Sequence, residues 1–210
     1  MAGGILNPEN GFWRTIGKLG DLMMLSIIWL LCSLPLVTLG PACAALYHTV
    51  VRCIRGNQPN SWSLFFRTFR DNLKVGALTS LVVLTAAALL LLLHNLTYQM
   101  AVLQPAWQLF YLCYTFLLLL PLGMACYLFP VLSRFTFGVG GLLANCTRLA
   151  LVHLPSTLAL ALEFYGAQYL FVHIPAVIVF LPAVTALFQS LFLERIFAPY
   201  LPKEGSGEEP

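Results

Sequence analysis

Charge is scarce in this sequence. Asp, Glu, Lys and Arg make up 9% of its 210 residues, while 60% are hydrophobic. An ordinary globular domain carries roughly 25% charged residues, so a soluble protein is a poor fit. The formal net charge of +3 comes from basic residues lying close to apolar runs. They are too few and too membrane-proximal for a nucleic-acid surface, and lipid headgroups are the anions they would meet. Enzyme signatures are missing too. There is no HExxH, GxSxG or Walker loop and no spaced carboxylate pair, so neither a catalytic residue nor a cofactor is expected. The six cysteines (Cys32, Cys43, Cys53, Cys113, Cys126 and Cys146) include no CxxC and have no histidine at ligand spacing, which argues against a metal site or a disulfide framework. They lie in or beside apolar segments, where cysteine behaves as a small hydrophobe. Gly138-Val139-Gly140-Gly141 follows no strand; close helix packing or a flexible lead-in explains it better than phosphate binding.

Long apolar runs, by contrast, are abundant, at residues 22–37, 75–93, 109–132 and 174–193. A membrane span needs about 20 such residues. A transmembrane barrel would alternate polar and apolar residues, and LTAAALLLLL does not. The expected fold is all-α, a polytopic transmembrane bundle of about six segments, at roughly 20–37, 41–56, 75–94, 107–130, 153–171 and 173–195. Residues 1–200 would form one transmembrane domain and 201–210 a short disordered acidic tail in the cytoplasm. Arg14 and Lys18 before an apolar run, with Ala42-Cys43-Ala44 after it, resemble a cleaved leader. A second apolar stretch follows at once, and retention is expected.

The placement of the eleven basic residues sets the expected topology. Arg14 and Lys18 precede the first apolar run. Arg52, Arg55, Arg67, Arg70 and Lys74 follow the second segment, Arg134 and Arg148 follow the central span, and Arg195 and Lys203 close the chain. Basic residues collect on the cytoplasmic side. A chain that turns back within SLPLVTLGPA keeps all eleven inside, with the connections at 94–108 and 163–173 outside and both termini cytoplasmic. One straight helix over 22–54 would measure about 50 Å, far more than a bilayer accommodates. The turn has suitable chemistry: Pro35 interrupts the helix, Thr38 can cap, Gly40 can take a positive φ and Pro41 suits a first helical turn. A re-entrant pair of short arms is the alternative. Among the other prolines, Pro155 and Pro175 read as helix starts, while Pro121 and Pro182 lie deep enough to kink a span.

Two further segments are amphipathic. In NSWSLFFRTFRDNLK, Trp62, Phe65, Phe66, Phe69 and Leu73 recur at helical spacing, with Arg67, Arg70, Asp71 and Lys74 opposite. This suits a helix on the lipid surface, aromatic face down and basic face towards anionic headgroups. In GGLLANCTRLALVHLP, Leu142, Leu143, Cys146, Leu149 and Ala150 share a face opposite Asn145 and Arg148. The two segments align at Asn72 with Asn145, which raises the possibility of a degenerate duplication. Glu163 is the one charged residue expected outside. With His94 and His173 at the same level it could form a polar site, or it could simply reach water among Tyr165, Tyr169 and Trp107 in an aromatic belt.

The run from Leu19 to Tyr47, LGDLMMLSIIWLLCSLPLVTLGPACAALY, together with Phe65, Phe66, Phe69 and Asn72 downstream and FPVLSRF at Phe129–Phe135, resembles the YesL-like family of small bacterial membrane proteins. A polar residue, often asparagine, commonly precedes the WLLCSLP run in that family; here Ser26 stands nearest. The resemblance implies a plasma-membrane protein of unknown function, mostly from Gram-positive bacteria, often encoded beside carbohydrate uptake and degradation genes. It brings no catalytic residues. Two functions follow as expectations: a non-catalytic accessory partner, of a carbohydrate importer of the ATP-binding-cassette type or of itself, or a small-solute transporter or channel using the Pro35–Pro41 break or Glu163.

Overall fold

The computed structural model describes residues 11–200, with side chains from Ile16 onward. The acidic tail and Lys203 lie outside the described residues, and so does the side chain of Arg14. The first helix, α1, covers Gly11–Ser33. It is followed by a 3-10 turn at Leu36–Thr38 and by α2, Leu39–Thr49, which runs on as a π-helical segment, Val50–Arg55. After these come α3 at Ser61–Asp71, α4 at Leu73–Leu103, α5 at Gln108–Leu117 and α6 at Leu119–Arg134. The chain closes with α7 at Val139–Val152, α8 at Leu154–His173 and α9 at Leu181–Phe197.

This is a polytopic helical bundle. Ile16–Ser33, Leu36–Arg55, Leu73–Leu103, Pro105–Arg134 and Leu181–Tyr200 are each long and apolar enough to cross a membrane, and α7 with α8, bent by 105°, adds a sixth as one broken span. Two expected loops are helical instead. α4 continues past 94 to Leu103 and α8 past 163 to His173, because nothing in NLTYQM or FYGAQY breaks a helix before Pro105 and Pro175. The two expected kinks also move. Pro182 lies in the first turn of α9, and Pro121 is the third residue of α6, just after the break at Leu118. Pro130 is the proline held inside a helix.

The chain does turn back at Pro35–Pro41. Leu22, Leu25 and Ile28 of α1 pack with Ala45, Leu46 and Val50 on the returning arm, and the Trp29 indole N–H points at Cys43 Sγ, 3.4 Å away. The chemistry of the turn differs from expectation at two residues. Thr38 does not cap α2; its hydroxyl donates back to the carbonyls of Cys32 and Pro35, both at 2.7 Å, closing the end of α1. Gly40 takes no positive φ, because it already lies within α2. Its value is closeness. A Cβ at Gly40 would collide with Ser80 Oγ and come within 2.5 Å of the Gly76 carbonyl, while one at Gly76 would reach 2.8 Å from Pro41. Here α2 and α4 touch backbone to backbone, and Ser80 Oγ accepts the Gly40 N–H at 2.6 Å. The glycines at 138 and 140 have nothing nearby, so close packing does not explain them.

Both amphipathic helices turn apolar faces into the bundle. Phe65 of α3 is fully buried against Leu46, Val50 and Ile54. Leu142, Cys146 and Ala150 of α7 join Tyr127, Leu128 and Val131 of α6, and Thr147 meets Met124, so α7 folds back along α6. A pattern therefore occurs twice: a helix (α2 or α6), a shorter amphipathic one packed on it (α3 or α7), and a long one (α4 or α8) touching the first at a glycine. In the second copy the glycine is Gly123, where a Cβ would stand 2.8 Å from the Thr157 carbonyl.

Candidate functional site

The ends of α2, α6 and α9 that carry Arg55, Arg134 and Arg195 meet in a polar knot. Tyr47, fully buried on α2, donates its hydroxyl to Glu194 Oε1 at 3.0 Å. Arg134, at the last turn of α6, binds the other oxygen of Glu194 at 2.8 Å. Arg55, aimed by the π segment, donates to the Ser190 carbonyl at 2.8 Å and to its hydroxyl at 3.1 Å. His48 Nδ1 donates to the Ser133 carbonyl at 3.1 Å; a carbonyl can only accept, so Nδ1 carries the proton. The Arg134 and Glu194 side chains are 8% and 20% exposed, and Arg134 Nε is buried with no partner. The knot joins three helices through charged groups whose separation would leave a buried ion, which makes it a structural lock.

The residues singled out in the sequence are dispersed over the fold. Along α3 the aromatic stripe splits. Phe65 goes into the core and Phe69 packs partly against it, whereas Trp62 and Phe66 remain 52% and 41% exposed with ring centroids 5.4 Å apart. Arg67 and Arg70 are exposed on the adjoining face, and Lys74 is exposed in the first turn of α4. The helix thus has three faces rather than two: a core face of Ser61, Phe65 and Thr68, an exposed aromatic face and an exposed basic face.

Glu163, His94 and His173 do not form one site. His94 sits in the α4–α5 hairpin, its ring 5.1 Å from that of Tyr111 and 6.0 Å from that of Tyr114. His173 stacks on Tyr169 of its own helix at 4.0 Å and bonds that residue's carbonyl. Glu163 lies at the middle of α8, and neither carboxylate oxygen, both buried, has a hydrogen-bond partner. The ends of α8 are each about 14 Å away at 1.5 Å per residue, so the glutamate stands at mid-helix.

Residues 22–94 match the model of a family described as a protein of unknown function, DUF624. No curated protein and no solved structure matches the chain. The matched stretch holds the hairpin, the π segment, α3 and most of α4, and therefore both exposed faces of α3. It leaves Arg134 and Glu194 outside. It also holds Ser26, the residue nearest the polar position of the resemblance. Ser26 is fully buried, and its hydroxyl accepts the Ala183 N–H at 3.2 Å, satisfying one of the free donors at the start of α9. Sequence reasoning missed Glu194 because it weighed only basic residues in placing the spans. The signal was there, a lone carboxylate in LFLERIF one turn from the end of an apolar run.

Proposed function

We propose that this is a non-catalytic accessory protein of the bacterial plasma membrane, with both termini in the cytoplasm, docking through the exposed faces of α3. The observation that carries this reading is the state of Trp62 and Phe66. Phe65 anchors the helix in the core, so the two exposed aromatics and the Arg67–Arg70 face are held rigidly rather than on a loose tail. Clustered aromatics beside arginines are the residues that dominate protein interfaces, and the same set suits the lipid headgroup level. The partner we propose is a permease subunit of a carbohydrate importer of the ATP-binding-cassette type, a choice supported by the family resemblance alone. Affinity purification from native membranes in mild detergent tests it. A permease should co-purify in stoichiometric amount and be lost on the double substitution Trp62→Ala/Phe66→Ala. Recovery of the protein alone from wild-type membranes would remove the partner and leave α3 as a lipid contact.

A second reading rests on Glu163. A buried carboxylate without a hydrogen-bond partner in an apolar helix is costly and is by default a functional candidate, which suits a small transporter or channel. Solute or proton flux in liposomes that disappears in Glu163→Ala would favour this reading, whereas an accessory role would survive that substitution.

A further inference from the structure

Among the described residues, nothing answers the charge a carboxylate at Glu163 would carry. Both of its oxygens are buried without a hydrogen-bond partner at the middle of α8. The sequence carries no Lys or Arg between Arg148 and Arg195, nor any between Lys74 and Arg134. α8 packs on α6, α7, α9 and the 3-10 turn at Pro175–Val179, and that turn has no ionisable side chain. On the three helices, Arg134 and Glu194 hold one another, while Arg148 and Arg195 are exposed. What remains there is the buried thiols of Cys126 and Cys146 and the Tyr127 hydroxyl, which accepts from Thr157. These groups are themselves acids and lend no positive charge. On α8, Tyr165 and Tyr169 are exposed, and His153 and His173 each stand about 15 Å along the helix.

We propose that the ion bound at Glu163 is a proton. This rests on the second reading above, in which Glu163 is an ion site, and names the ion. An isolated carboxylate in apolar surroundings is far costlier than the neutral acid, and a proton removes the charge at the carboxylate itself. A hard metal cation needs several oxygen ligands at once, and among the described residues no cluster of acidic, thiol or imidazole groups supplies them. An organic ammonium needs room beside an oxygen, yet neither oxygen is open to solvent. A proton needs neither ligands nor room. Its way in lies along α8 at Gly166, one turn on, where an added Cβ would meet nothing within 4 Å.

The test is covalent labelling of the full-length protein in phosphatidylcholine nanodiscs with dicyclohexylcarbodiimide, a lipid-soluble reagent that reaches carboxyl groups from the apolar side. The acid O–H adds across a C=N bond of the reagent, and away from water the adduct rearranges to a stable acylurea that peptide mass spectrometry locates. Only the protonated acid starts this reaction. Label at Glu163 that falls as the pH is raised, and that sodium, potassium and tetraphenylphosphonium leave unchanged, supports the proposal. Glu163→Gln loses the label, and the pH and cation series on the wild-type protein stands without that variant. No label at Glu163, or protection by any of the three cations at constant pH, overturns it. Flux in liposomes of the wild-type protein keeps the two claims apart. Label in a protein that moves neither protons nor solute removes the transporter and supports the proton site. Flux driven by a sodium gradient, with label that sodium suppresses, keeps the transporter and overturns the proton.

Discussion

At the scale of single residues, the side chains that matter most here are polar ones in apolar surroundings. Glu194 illustrates the energetics. It accepts from Tyr47 and from Arg134, and removing it leaves the buried Arg134 guanidinium without a counter-charge. Glu194→Gln should therefore cost on the order of 3 kcal/mol, read as a lower midpoint of thermal denaturation in detergent micelles. Tyr47→Phe deletes one hydrogen bond to a charged acceptor but keeps the ion pair, and should cost about 1.5 kcal/mol. Equal losses for the two variants would mean that water reaches Arg134 and that the ion pair carries little weight. Serine does comparable work more cheaply: Ser26 and Ser80 each accept an N–H from the first residues of another helix, where helices lack internal partners.

At the scale of elements, α3 and the hairpin show how far pattern reaches. The helical spacing of Trp62, Phe65, Phe66 and Phe69 correctly marks an amphipathic helix, with Leu73 falling beyond the break at Asn72 in α4, but periodicity cannot divide a broad apolar face between protein and lipid. Only packing does that. Phe65→Ala should cost about 3 kcal/mol through the cavity it leaves, whereas Phe66→Ala, a surface change, should stay within about 0.5 kcal/mol. Chemical denaturation of the two single variants separates them, and similar losses would place Phe66 in the core. At the hairpin, Gly76→Ala drives a methyl against Pro41 and should cost about 1–3 kcal/mol by overpacking, checked the same way. The repeated helix arrangement does not follow the alignment of Asn72 with Asn145. Asn72 is the junction of α3 with α4, and its counterpart is His153, the junction of α7 with α8, eight residues beyond Asn145.

At the scale of the whole molecule, the described basic residues Arg55, Arg134 and Arg195 share the end of the bundle at which α2, α6 and α9 terminate. Placing that end in the cytoplasm predicts that reporters fused at Met1 and at Pro210 both read as cytoplasmic, and that a tag inserted after Gln104 reads as external. An external Met1 reporter would contradict the full hairpin. The length of α4, about 46 Å for its 31 residues, exceeds one hydrocarbon thickness, and its far third meets mainly α5 through His94, Tyr98, Tyr111 and Tyr114. A tag at Gln104 would for that reason stand clear of the bilayer and be readily labelled.

Composition, run length and the distribution of arginine and lysine were enough to determine an all-helical membrane bundle, its approximate number of spans and the reversal at Pro35–Pro41. These follow from one-dimensional quantities, since the cost of exposing backbone or charge to lipid is charged to each stretch separately. What only the tertiary structure decided are the pairings. Tyr47 meets a glutamate 147 residues away, Gly40 rests on Gly76 and Ser80, and Glu163 is separated from both histidines with which it could have formed a site. Such contacts depend on the angle and depth at which helices cross, and these are set by side-chain fit between segments far apart in the chain, a property that no single stretch of sequence contains.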